Sequence, residues 1–263
     1  MMKIQKLNLA YFSPTGGTQT AVRTLAKAWE TLSAEEIDLC TTPEPKTFAK
    51  DELVIFGVPS FGGRVPETAL QRWEQLRGTE TPCILLAAYG NRDYEDTLLE
   101  MKDFAKAQGF LPFAAIAAVC EHSIARQYAA GRPDAEDKAT LLRYGSSIAE
   151  ALSHQENASF TLAVNGNHPY KEKKGGAPMM PGADDACCNC MVCAKSCPVQ
   201  AISFENVKKT NPELCVSCMR CVKVCPTGAR HLPAQVLEGV GARLQPVCSE
   251  PKPYTLFLPE TDE

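Results

Sequence analysis

The sequence predicts an α/β domain, doubly wound around a five-stranded parallel sheet, followed by a small cysteine-rich module. Three observations carry this. From residue 1 to about 153, strand-like and helix-like runs alternate, as they do where helices cover both faces of a parallel sheet. Two of the strand-like runs, residues 53–58 and 83–88, are apolar along their whole length, as strands buried on both faces should be. Between residues 187 and 226, eight cysteines fall into two copies of one spacing.

Taken in order, residues 7–12 form the first apolar strand, and Val22, Leu25, Ala26 and Trp29 then recur at helical spacing. A short strand is expected at 37–40, and the connection 40–52 is too short for a full helix. Pro66 opens the next helix, because proline fits the first helical position, and the apolar face carries Ala69, Leu70, Trp73 and Leu76. Leu98, Met101, Phe104 and Ala105 mark a helix ended by Gly109, and 113–119 is the fifth strand. A helix over 134–152, with Leu141, Gly145, Ile148 and Leu152 on one face, closes the domain at 153. Residues 154–183 shift to Gly, Pro and Lys and predict an extended, partly mobile linker, with a brief strand-like run at 160–164. Within it, Lys171, Glu172, Lys173 and Lys174 read either as a solvated face or as a docking patch for an acidic redox partner. The cysteine module occupies 184–232, and 233–263 is a C-terminal extension with a short helix at 236–244.

Composition narrows the function classes. The 263 residues hold about two domains. A net charge of −4 gives no reason to expect nucleic acid or an acidic membrane surface as partner. The opening residues lack the apolar core of a signal peptide, and no apolar run approaches the ~20 residues of a membrane helix. A cytoplasmic, reducing setting is therefore expected, which suits free thiols. Cys40, Cys83 and Cys120, near strand termini, read as small buried apolar residues, and Cys248 as a spectator.

In an open parallel sheet the ligand crevice lies beyond the carboxyl ends of the strands, where strand order reverses. Three loops leave that edge. The first, Ser13-Pro14-Thr15-Gly16-Gly17-Thr18, joins hydroxyls, glycines and a helix N-terminus into a phosphate cradle without a lysine. It departs from both the dinucleotide and the triphosphate fingerprints. The second, residues 57–66, brings glycines that allow close backbone approach to a flat ligand, and Phe61 to stack on it. Arg64 there either pairs with an anion on the ligand or is solvated. The third, residues 88–94, offers Tyr89 or Tyr94 to cover a ring face and backbone N–H groups around Gly90 and Asn91 for its polar edge. A fourth stretch, residues 120–133, is long for a loop and reads as a lid or as a dock for the cysteine module. His122 in it is a candidate proton donor or a hydrogen-bonded structural histidine.

The cysteine pattern is the most specific signal. Cys187, Cys190, Cys193 and Cys197 precede Pro198, and Cys215, Cys218, Cys221 and Cys225 precede Pro226. The copies share Met191 with Met219 and Lys195 with Lys223, which marks an internal duplication. Three closely spaced cysteines wrap one face of a four-iron cube, and the fourth, before proline, ligates the other cluster. Cluster one then takes Cys187, Cys190, Cys193 and Cys225, and cluster two takes Cys215, Cys218, Cys221 and Cys197. Cys188 falls outside the spacing. A disulfide framework would need a secreted chain, and zinc sites would use paired knuckles with longer gaps.

Residues 184–232 resemble the bacterial-type ferredoxin that carries two [4Fe–4S] clusters, an α+β module. The three strand-end loops together resemble the flavodoxin fold, over residues 3 to about 153. That resemblance implies FMN, its phosphate held by Ser13, Thr15, Gly16, Gly17 and Thr18. Its ring would be flanked by Pro59, Ser60, Phe61, Gly62 and Gly63 on one side and by Tyr89, Gly90 and Asn91, or Tyr94, on the other. The whole chain is similar to flavodoxin–ferredoxin fusions among low-potential, oxygen-avoiding redox proteins. It implies an electron-transfer protein with two [4Fe–4S] clusters and FMN, served by a redox partner protein or a small-molecule acceptor. Two other readings stand beside it: an FMN-dependent reductase of a quinone or nitro compound, and a non-catalytic redox sensor.

Overall fold

The protein is described by a computed structural model over residues 3–155, 160–173 and 179–259. The remaining parts of the expected linker, including Lys174, and both extreme termini lie outside the described residues.

Strand β1 (Lys6–Tyr11) runs into helix α1 (Gly17–Ala26), which ends in a tighter helical turn at Lys27–Trp29. There follow β2 (Ala34–Asp38), β3 (Lys46–Phe48), β4 (Glu52–Pro59), α2 (Glu67–Trp73) and β5 (Leu76–Gly78). Then come β6 (Thr81–Tyr89), α3 (Thr97–Ala107), β7 (Phe110–Val119) and α4 (Ala135–His154). Five of these strands lie parallel in the order β2-β1-β4-β6-β7. The order reverses between β1 and β4, so the loops after those two strands sit side by side at the carboxyl edge. This is the flavodoxin-like arrangement that the sequence predicts.

The centre is dry. β4 is buried from Leu53 to Val58 and β6 along its full length, which is why both read as unbroken apolar runs. Trp73 of α2 stacks on Phe56 of β4 with ring centroids 3.9 Å apart. Helix α1 comes so close to β4 that a Cβ on Gly57 would stand 2.4 Å from Val22 Cγ2. Helix α4 starts at a capping box in which Asp134 and Asp137 satisfy each other's backbone N–H groups.

Several expectations are corrected. β2 lies at 34–38 instead of 37–40: it is an outer strand whose Glu35 and Glu36 face water and pair with Lys6 and Arg23, so burial left no periodic mark on it. Leu76, placed on the α2 face, belongs to β5, which pairs with β3 in a separate two-stranded sheet. Residues 160–164 form no strand among the described residues; Phe160 instead packs edge-on against Phe113, 5.1 Å between centroids. The expected linker is fastened over residues 165–171. Asn165 donates to Tyr94 Oη, and the Asn167 and Lys171 N–H groups donate to the buried Asp96 carboxylate at 2.9 and 2.6 Å.

The cysteine module is small. Strands β8 (Gly182–Ala183) and β9 (Arg230–His231) pair antiparallel, and helices α5 (Val192–Lys195) and α6 (Arg220–Lys223) start after Met191 and Met219, the residues that follow the second cysteine of each copy. The helix expected at 236–244 is longer, α7 (Ala234–Cys248). After it, β10 (Thr255–Phe257) adds to β7 as an antiparallel edge strand, so the sheet has six strands and not five. Tyr254 Oη donates to the Val119 carbonyl at 2.8 Å, which fixes that strand against the end of β7. No helix among the described residues is long and apolar enough to cross a membrane.

Candidate metal and cofactor site

The three strand-end loops converge on one narrow cleft. From the first loop it is lined by Thr15, Gly17 and Thr18, and also by Pro14. Gly16 sits at φ 96°, a left-handed value that lets the chain turn into α1, and no side chain caps the helix start. Ser13 does not line the cleft; its Oγ accepts from the Gln19 N–H at 2.9 Å and braces the loop from behind.

From the second loop come Pro59, Ser60 and Phe61. Phe61 and Arg64 exchange backbone hydrogen bonds across Gly62 and Gly63, both at positive φ, which makes a tight hairpin with Phe61 at its base. Gly62 and Gly63 therefore act through backbone conformation and stand outside the cleft. Arg64 is settled in neither of its expected roles. Its guanidinium binds the Glu100 carboxylate at 2.7 and 2.9 Å, and Glu100 also accepts from the Val65 N–H. The Ser60 N–H donates to the Ala88 carbonyl at 2.7 Å, which ties the second loop to the third.

From the third loop, Tyr89 and Gly90 line the cleft, while Asn91 and Tyr94 do not. Both tyrosines are buried, packed edge to face on each other at 5.4 Å, and burial pushes the Tyr89 phenol up to about 12. Asn91 is 2 % exposed and its amide donates to the carbonyls of Cys248 and Glu250 and accepts from the Lys252 N–H. It clasps the C-terminal extension across the sheet edge.

The stretch 120–133 walls the cleft and packs on helix α7 of the C-terminal extension. Cys120, Glu121, His122 and Ser123 close one side of the cleft. Ala125, with Ile124 and Tyr128, packs on Val240 and Leu244 of α7, and Tyr128 Oη donates to the Gly241 carbonyl at 2.8 Å. Burial pushes the Cys120 thiol up to about 12, so it stays protonated. The His122 ring lies against Gly90, where a Cβ would meet it at 2.5 Å. Its Nδ1 accepts from the Ile124 and Ala125 N–H groups at 3.1 and 3.0 Å, which leaves the proton on Nε2. Burial first, then the Arg92 charge, hold its pKa below the ordinary histidine value.

The duplication in the cysteine module extends to the backbone. Asn189 and Met191 in the first copy, and Ser217 and Met219 in the second, are non-glycine residues at φ between 52 and 63°. Gln200 at φ 52° stands where the second copy has Gly228 at φ 69°. Non-glycine residues enter this region at a cost, and chains that do so repeatedly turn successive N–H groups inward to meet an anion. Sulfur atoms already receive such donors: the Ala201 N–H lies 3.2 Å from Cys197 Sγ. The Cys225 thiol is partly buried, yet N–H groups of Arg230, Thr227 and Ala229 hold it below its ordinary value.

The cysteines fall into two groups in space. Cys187, Cys190, Cys193 and Cys225 line one small cavity, with Cys188 at its rim. Burial first pushes Cys218 up to about 12, and Cys221, Cys197 and Cys215 add to it, so these four thiols lie within reach of one another's charge. Cys197 thus stands with the second copy and Cys225 with the first. Two buried donors beside the cysteines, Arg220 Nε and Arg230 Nε, have no hydrogen-bond partner among the described residues. Thiolates, inward N–H groups and orphaned donors together fit iron–sulfur clusters, and sequence spacing alone gave no sign of the two arginines.

The two halves meet at the cleft. Cys218 of the second copy stands in its wall, among Thr15, Phe61 and His122. Arg72 of α2 fastens the joint by donating to the carbonyls of Leu39, at 2.7 Å, and Pro198.

Comparison with known proteins adds the following. Residues 184–200 and 208–231 match two family models, each described as a 4Fe-4S binding domain. No curated protein matches the sequence. Among solved structures, a flavodoxin from the domain Archaea is similar at 14% identity over 57% of this chain and 100% of its own, TM-score 0.40. Oxidised flavodoxin 2 from Bacillus cereus shares 11% identity over 56% of this chain and 99% of its own, TM-score 0.43. A Streptococcus pneumoniae TIGR4 flavodoxin shares 15% identity over 55% and 98%, TM-score 0.39. By its strand order and its cysteine pairs, the chain joins a flavodoxin-like α/β fold to a segment that carries 4Fe–4S binding motifs.

Proposed function

We propose that this chain is an electron-transfer protein that relays electrons between two [4Fe–4S] clusters and FMN. The observation that carries the proposal is Cys218: one residue belongs both to the second cysteine quartet and to the wall of the cleft formed by the three strand-end loops. Electron exchange over such a contact needs no moving part.

Each residue set has a task. Cys187, Cys190, Cys193 and Cys225 hold one cluster, and Cys215, Cys218, Cys221 and Cys197 the other. Thr15, Gly17 and Thr18 bind phosphate with hydroxyls and with the N–H groups of the uncapped α1 start, helped by the helix dipole. Pro59, Ser60, Phe61, Tyr89, Gly90 and His122, which line the same cleft, would flank the flat ring. When bound there, FMN supplies the ability to take electrons one or two at a time, which iron–sulfur clusters lack. His122, neutral with its proton on Nε2, is the donor available on that wall. Ser13, Gly16, Gly62 and Gly63 shape the loops, and Asn91 and Tyr94 hold them from outside.

An external redox partner protein or a small-molecule acceptor stands at the ends of the relay. Anaerobic purification with iron, sulfide and flavin analysis tests the proposal. About eight irons and one FMN per chain are expected. Cys218→Ala should lose one cluster and keep the flavin, and the pair Thr15→Ala/Thr18→Ala should do the reverse. Colourless protein, or zinc in place of iron, would end the proposal.

A further inference from the structure

Arg230 is 1 % exposed and, among the described residues, makes no ion pair with a carboxylate. Its Nη2 donates to the Pro181 carbonyl at 2.8 Å and to Thr210 Oγ1, and its Nη1 donates to the Val207 carbonyl. Nη1 also reaches Cys193 Sγ at 3.9 Å, and Nε is buried with no partner. Cys193 and Cys221 belong to one buried apolar cluster with Val207, whose carbonyl the same guanidinium holds. Arg230 therefore lies beside a cysteine of each quartet. A buried cation is costly unless an anion answers it. Carbonyls answer only in part, and the thiolate-ligated clusters on either side are the remaining negative bodies within reach.

Two more arginines attend cluster two. Arg220 lies between Cys218 and Cys221 in sequence, with a buried, unpartnered Nε. Arg72 donates to the Pro198 carbonyl, next to Cys197. Neither makes an ion pair among the described residues. Cluster one has the opposite neighbourhood. Its Cys187 N–H donates to the Asp184 carbonyl at 3.3 Å, and the half-exposed Asp184 and exposed Asp185 carboxylates pair with His231 and Lys208, Asp184 also accepting from the Ala186 N–H.

We infer that Arg230 is a shared counter-charge for both clusters, and that Arg220 and Arg72 make cluster two the better electron acceptor of the pair. The inference rests on the cluster reading above. The step is one electron leaving reduced cluster one and entering oxidised cluster two, with no bond made or broken and no proton moved. The charge gained on reduction is stabilised where cations are nearest. The three arginines thereby park the electron on the cluster whose Cys218 lines the cleft.

The experiment is a potentiometric titration of the full chain, anaerobically loaded, followed by low-temperature EPR of the reduced clusters. Iron and sulfide are counted in every variant. Wild type should show two one-electron steps. Arg220→Gln and Arg72→Gln should each lower the higher step severalfold in reduced fraction at fixed potential and leave the lower step in place. Arg230→Gln should lower both, by about tenfold, or ~59 mV for a one-electron couple, and Arg230→Lys should recover most of the loss. If Arg230→Gln fails to assemble, the Arg220 and Arg72 variants carry the test, since neither side chain holds the module's interior together. A full iron count with both steps unmoved in Arg220→Gln and Arg72→Gln, or with the lower step moved instead, overturns this inference alone. Wild-type chain without iron overturns it together with the cluster reading.

Discussion

His122 faces the cleft as a neutral ring because two backbone N–H groups occupy Nδ1 and because burial, with Arg92 nearby, penalises its charge. Its pKa in the folded chain is held below the ordinary 6.5. The unfolded chain therefore takes up the proton first as pH falls, so stability is intact above about 6.5 and is lost progressively below it. Urea midpoints of the wild type and His122→Gln at pH 7.5 and pH 5.5 check this: the variant should lose less stability between the two. Equal losses would show that His122 does not titrate this way. At this scale the sequence revealed residue types better than their partners. Thr15, Thr18 and Phe61 line the cleft as expected. Asn91 does not, because the carbonyls it binds lie more than 150 residues away, where no local pattern reaches.

Among elements, α1 and β4 show how closely the parts must fit. A Gly57→Ala change puts a methyl 2.4 Å from Val22 Cγ2 and 3.0 Å from Thr18 Cγ2. Overpacking of this kind costs about 1–3 kcal/mol, and a lower thermal midpoint together with weaker flavin retention, through Thr18, is the expected result. An unchanged midpoint would mean that α1 shifts freely. The clasp on the C-terminal extension gives a second prediction. Asn91→Ala strips hydrogen bonds from two carbonyls and one N–H, at about 1–3 kcal/mol for a buried group left unsatisfied. Limited proteolysis should then cut faster within residues 249–254 than in wild type. Elements buried on both faces were legible because the apolar run is the signal: β4 and β6 came out nearly whole. β2 was displaced because it is charged and outermost, and β10 escaped because a three-residue strand has no period of its own.

For the whole molecule, Arg72 joins the α/β domain to the cysteine module at Pro198, and Tyr128 and Ala125 join it to α7 of the C-terminal extension. The duplication made the two cysteine quartets legible, since spacing alone dictates which thiols can share a cluster. That the second quartet would face the loops was not legible, because it depends on how α7 and β10 return to the sheet. Cys218→Ala should roughly halve the iron, on the count of two clusters per chain, without loss of flavin. The most direct measurement is a rapid, sub-stoichiometric pulse of reductant given to the anaerobic, loaded chain, with cluster and flavin absorbance followed over a range of protein concentrations. The account predicts first-order redistribution between them at a rate independent of protein concentration, abolished in Cys218→Ala. A rate that scales with concentration, or one that survives the loss of that cysteine, would contradict it.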